Sequence, residues 1–157
     1  MNKASNAKRR QLVVGNWKMN GNLHENAELL GKVVAGWQCE HSAEVVICPP
    51  FPYLIHTATV LSGSSILMGA QTASEYSKGA YTGEVSAVML ADLDCKFVII
   101  GHNERRRLQG ETDEQVARQF AAVQKAGLVP ILCVGESLED REQSKQLETI
   151  KRQLEAV

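Results

Sequence analysis

The chain has 157 residues, with 44% hydrophobic and 22% charged residues, which is the composition of one soluble globular unit. A formal charge of -1 excludes a strong electrostatic footprint for nucleic acid or an anionic membrane. No apolar run approaches the roughly 18 residues of a spanning helix, and the basic start MNKASNAKRR has no apolar stretch behind it. Residues 1–10 read as a short disordered tail, and 11–157 as the folded domain.

The first strand is predicted at Gln11–Gly15. Asn22 with Glu25 then starts a helix whose apolar stripe is Ala27, Leu30, Val33, Val34 and Trp37. A second strand, Glu44–Cys48, is followed by Pro49, Pro50, Phe51 and Pro52, and Pro52 opens a helix with Ile55, Ala58 and Leu61 on its apolar side. Ile66–Ala70 is the third strand. A long glycine-bearing loop over 72–84 follows, with the length and position of a functional projection. Ser86 caps a short helix ahead of the fourth strand, Lys96–Gly101. Thr112 and Gln115 begin the next helix, which carries Val116, Phe120 and Val123 and stops at Gly127. The fifth strand is Leu128–Gly135. Ser137 with Asp140 begins the last helix, with Leu147, Ile150, Leu154 and Val157 as its predicted buried stripe.

Several strands are apolar on consecutive residues, the mark of a sheet covered on both faces, so the alternation reads as α/β with parallel strands. Two architectures fit five βα units: a complete flavodoxin-like sandwich, or the first five units of an eight-unit barrel of about 250 residues. Cys39, Cys48, Cys95 and Cys133 show no metal-like spacing and read as reduced thiols of a cytosolic protein.

Both architectures place chemistry at the C-terminal ends of the strands. Lys18, directly after the first strand, is a point charge suited to an anion or a developing oxyanion, and Asn16 offers an amide beside it. His102 follows the fourth strand and starts a helical turn, whose positive end favours a neutral imidazole able to donate to a carbonyl. Glu104 lies within reach of a cation such as Lys18. Glu136, after the fifth strand, either pairs with an arginine or caps a helix.

The segments GNWKMNG at 15–21, CPPFPYL at 48–54, GAQ at 69–71, GAYTGE at 79–84, IIGHNERR at 99–106 and VPILCVGES at 129–137 together resemble the triosephosphate isomerase family. The resemblance implies a partial TIM (β/α)8 barrel. It also implies an isomerase of glycolysis and gluconeogenesis that interconverts dihydroxyacetone phosphate and D-glyceraldehyde 3-phosphate through an enediol(ate), with neither cofactor nor metal. A neutral histidine electrophile is an established arrangement in that family. By resemblance, Lys18 balances the substrate's charge, Asn16 positions it, His102 polarises its carbonyl and shuttles protons, and Glu104 orients Lys18. The 72–84 loop, with Tyr81, Thr82 and Glu84, looks like the family's dimer loop, with Thr82 reaching into the partner's site. A cytoplasmic homodimer acting on a small phosphorylated triose is implied, without nucleic acid or membrane partners.

Two departures stand out. Asn103 replaces the family's serine. The family's general base, at the end of a sixth strand, and its phosphate loops have no counterpart in the 157 residues, so the chain reads as a barrel cut before that strand and inactive alone. A non-catalytic half-barrel, serving as a remnant or a subunit-interaction module, is the alternative. An open five-strand piece is further expected to expose an apolar inner face and two unpaired edges.

Overall fold

A computed structural model describes residues 11–37 and 43–157. The basic tail and Cys39 lie outside the described residues. Five strands, β1 (Gln11–Asn16), β2 (Ala43–Cys48), β3 (Leu67–Ala70), β4 (Phe97–Ile100) and β5 (Val129–Leu132), form one sheet in the order β1-β2-β3-β4-β5. Every neighbouring pair is parallel. Strictly sequential order excludes the flavodoxin-like alternative, in which the second strand lies outside the first. What remains is a curled half-barrel, a partial TIM barrel.

The helices alternate with the strands: α1 (Leu23–Gly36), α2 (Leu54–Leu61), α3 (Ala87–Asp92), α4 (Asn103–Leu108), α5 (Asp113–Lys125), α6 (Leu138–Glu142) and α7 (Gln146–Glu155). The side chains of Asn22, Ser86 and Thr112 accept from the amides three residues on, as their positions predict. Ser137 and Asp140 close a full reciprocal capping box. Among the described residues no helix is long and apolar enough to cross a membrane.

The main core lies between the helices and the outer face of the sheet. Leu30, Leu54, Leu90, Val98, Ile100, Val116 and Val123 are buried there, each contributing about 1.5–3 kcal/mol. The inner face meets its expectation only at the edges. Its centre is covered, with Val46, Cys48, Phe97 and Ile99 buried against Val14, Leu67, Ile131 and Cys133. Gly69 makes this closure possible. A Cβ there would meet Cys48 Sγ at 2.7 Å and Val46 Cγ1 at 3.0 Å, so the neighbouring side chains fold over a strand position that has none. Toward its two edges the inner face is open, with Leu12 of β1 exposed on the same side as Val14 and Val129 of β5 on the same side as Ile131, while Val13 is exposed on the outer side of β1.

Cys48, Cys95 and Cys133 are free thiols. Burial pushes Cys48 and Cys95 up to about 12, which keeps them protonated and inert at neutral pH.

Two helices depart from the sequence expectation. Pro52 opens a 3-10 turn over Phe51–Tyr53, and the α-helix proper begins at Leu54. The tighter turn shifts the phase of α2, so Leu54, Thr57 and Leu61 are buried and Ile55 is 68% exposed. The last helix is broken between Glu142 and Gln146, with Ser144 at φ 58°. Leu147, Leu154 and Val157 of its predicted stripe are exposed, Leu147 at 77%, while Ile150 is half-buried and Thr149 and Gln153 are buried.

Polar partners decide that orientation. The Gln153 side chain accepts from Gly135 N at 2.8 Å and donates to Gly135 O at 3.0 Å, satisfying backbone at the end of β5. Arg152 pairs with Asp113. Gln153→Ala is therefore expected to cost about 1–3 kcal/mol by leaving that backbone unpaired. Leu147→Ser is expected to stay within about 0.5 kcal/mol. Urea melts of the two variants check the order, and an equal cost for both would return Leu147 to the core.

Candidate functional site

A cleft of about 760 Å³ opens at the C-terminal ends of β1, β3 and β4, where a barrel carries its chemistry. Asn16, Lys18, Gln71, His102 and Glu104 line it, with Pro50, Phe51 and Pro52 as a stiff apolar wall. Four residues proposed from sequence are thus brought together. Tyr81, Thr82 and Glu84 are exposed and not among the cleft's lining residues. Their loop is closed at its base by Ser74 N–H donating to Val85 O at 2.8 Å, and braced by Tyr76 stacking on Tyr81 with ring centroids 4.0 Å apart.

Lys18 takes a left-handed backbone at φ 55°, unusual for a residue with a side chain. Its amide donates to Asn16 Oδ1 at 3.0 Å. The Gln71 amide donates to both Lys18 O and Cys48 O at 2.9 Å, tying the loop after β1 to the end of β2. Sequence reasoning missed this clamp. Its one signal was the position of Gln71 directly after a buried strand.

Lys18 Nζ lies 2.6 Å from Glu104 Oε1, with both side chains partly open to solvent. The hydrogen bond from Lys18 is the main cause that holds the Glu104 carboxyl below its ordinary range, with the charges of Lys18 and Arg107 acting in the same direction. The pairing expected of these two residues is present.

His102 is the N-cap of α4, and its Nδ1 accepts from Glu104 N–H at 3.3 Å. A nitrogen that accepts carries no proton, so this contact suits the tautomer that carries its proton on Nε2. Glu104 Oε2 lies 3.6 Å from the same Nδ1, too far to accept a hydrogen bond from it. Nε2–H is left as the donor for a ligand. Gly101, at φ +69°, turns the chain from β4 into this cap. Asn103 is exposed on the first turn of α4. Glu136 pairs with Arg141, whose Nε donates at 2.8 Å, and does not line the cleft.

A lysine, a histidine and an amide converging on one cleft suit an anion and a carbonyl together. The sequence model described as Triosephosphate isomerase matches residues 11–157. The chain belongs to the triosephosphate isomerase family. Among its relatives, the triosephosphate isomerase of Thiobacillus denitrificans is 54% identical over 149 residues, covering 95% of this chain and 59% of that protein. That of Dechloromonas aromatica is 52% identical over 149 residues with the same coverage. That of Bordetella pertussis is 53% identical over 149 residues, with 60% of its length covered. The chain therefore spans about three fifths of the length of these triosephosphate isomerases.

Proposed function

We propose that residues 11–157 supply one half of a triosephosphate isomerase active site, acting in the cytoplasm on dihydroxyacetone phosphate and D-glyceraldehyde 3-phosphate. The observation that carries this reading is the convergence on one cleft of Lys18, held by Glu104 at 2.6 Å, and His102, whose Nδ1 is committed to a backbone amide.

The roles follow from the chemistry. The Asn16 amide and the Lys18 ammonium bind the substrate's oxygens and its negative charge. His102 Nε2–H donates to the carbonyl as a base removes the neighbouring C–H proton. The oxygen becomes the enediol(ate) oxygen in the field of Lys18, and His102 moves the proton between the two oxygens. The base returns its proton to the adjacent carbon.

That base must come from outside the described residues. Glu104 is the one carboxylate among those lining the cleft, and a carboxylate ion-paired and held low is a poor proton acceptor. The 72–84 loop serves a second copy of the protein, with Thr82 entering the partner's cleft in a homodimer.

The test is turnover of dihydroxyacetone phosphate by the 157-residue chain, alone and mixed with the part of the Thiobacillus denitrificans relative that the match leaves out. Alone, the chain is expected to match a His102→Ala control; mixed, to exceed it. Turnover alone well above the control overturns the missing base. No turnover in any completed form overturns the isomerase reading.

A further inference from the structure

His102 is presented by the turn between β4 and α4, and the group that holds this turn lies outside the cleft. Arg106, on α4, reaches back across it. Its Nε donates to Gly101 O at 2.8 Å, one peptide before His102. Its guanidinium packs against Gly101, with Nη2 2.9 Å from the point where a Cβ would stand. Arg106 Nη1 in turn donates to Asp113 Oδ1 at 2.5 Å. Asp113 opens α5, its side chain is 10% exposed, and its second oxygen faces Arg152 of α7.

We propose that Asp113 is a positioning residue for His102, acting through Arg106. The proposal rests on the isomerase reading above, which gives His102 its task. Two ion pairs pin α4 to the segment that leads into α5. Arg105 meets Glu111 at 2.6 Å, on the side of the helix that lines the cleft. The Arg106–Asp113 pair differs in being joined through one planar group to the carbonyl beside His102. Charge-assisted bonds of this kind are strong and directional. Removing the charge of Asp113 leaves Arg106 without its anchor and Gly101 O free to rotate. The His102 Nδ1 contact to Glu104 N–H, at 3.3 Å already near the limit of a hydrogen bond, is the first to be lost.

The experiment records long-range proton–nitrogen correlations of the histidine rings in the 15N-labelled 157-residue chain, without substrate. His102 is identified by its loss in His102→Gln. The wild-type chain is expected to show His102 as the single Nε2–H tautomer. Asp113→Asn is expected to shift the tautomer ratio about tenfold toward Nδ1–H, with the His24 and His56 signals and the amide dispersion unchanged. Asp113→Glu, which keeps the charge, is expected to restore the wild-type pattern. An unmoved His102 in folded Asp113→Asn overturns the proposal, as does a wild-type His102 already averaged between tautomers. Should Asp113→Asn fail to fold, Arg106→Lys replaces it. Its single ammonium cannot serve Gly101 O and Asp113 through separate nitrogens, and an unmoved His102 there overturns the proposal equally. No substrate enters the readout. A chain with the shift but no turnover when completed fails only the functional reading, and an active completed chain with His102 unmoved fails only this one.

Discussion

Replacing His102 by glutamine, in the chain completed to an active isomerase, is expected to lower kcat by about 10²–10⁴-fold, the range of a positioned acid–base group. The glutamine amide can still donate a hydrogen bond to the substrate carbonyl. It cannot give up a proton and recover it, so polarisation survives and the shuttle between the two oxygens does not. His102 is also the N-cap of α4, accepting from Glu104 N–H at 3.3 Å. Loss of a cap costs about 0.5–2 kcal/mol, a modest drop in thermal midpoint beside a large loss of rate. Steady-state kinetics and a thermal melt on the same variant separate the two. A rate loss under tenfold would remove His102 from the chemistry, and a loss of rate matched by a collapse of the fold would make its role structural.

The cleft was legible in sequence because its members are short-range features of strand ends. Lys18 follows β1 and His102 follows β4 directly, and buried parallel strands announce themselves by consecutive apolar residues. The Lys18–Glu104 contact needed only the knowledge that those two ends open on one cleft. Gln71 was not legible in the same way. Its meaning depends on Lys18 O and Cys48 O arriving at one point, two carbonyls that no side-chain pattern encodes. The outward turn of α7 was hidden for a related reason. Leu147, Ile150, Leu154 and Val157 make a sound apolar stripe, yet the face packed on the fold was chosen by the open backbone of Gly135 and the charge of Asp113, both remote in sequence. The phase of α2 was lost to three residues of 3-10 turn at Phe51–Tyr53. Local periodicity locates an element well and its buried face less well, wherever long-range polar partners compete with apolar area.

Lys18→Met is expected to reduce kcat/KM of the completed enzyme by about 10²–10³-fold, the cost of removing one donor aimed at developing negative charge. Glu104→Gln should cost less, because its effect passes through Lys18. The ammonium keeps its charge and loses the carboxylate that aims it. The double variant is then expected to be no worse than Lys18→Met alone, since Glu104 has nothing left to orient. Fully additive losses would mean that Glu104 acts on the substrate directly. The same pair makes a signed statement about pH. Glu104 is held below its ordinary value of 4.5, first by the hydrogen bond from Lys18. A carboxyl held low stabilises the fold while ionised, so its contribution is complete above about 4.5, the value in the unfolded chain, and disappears as pH falls through the lower folded value. Between neutral pH and that range the Lys18–Glu104 contact is expected to stay intact. Carbon-13 titration of the Glu104 carboxyl should give a midpoint below 4.5 in the wild-type chain, rising toward 4.5 in Lys18→Met. A midpoint at or above 4.5 with Lys18 in place would break the link between the two residues, and with it the reason for Glu104 to stand in the cleft.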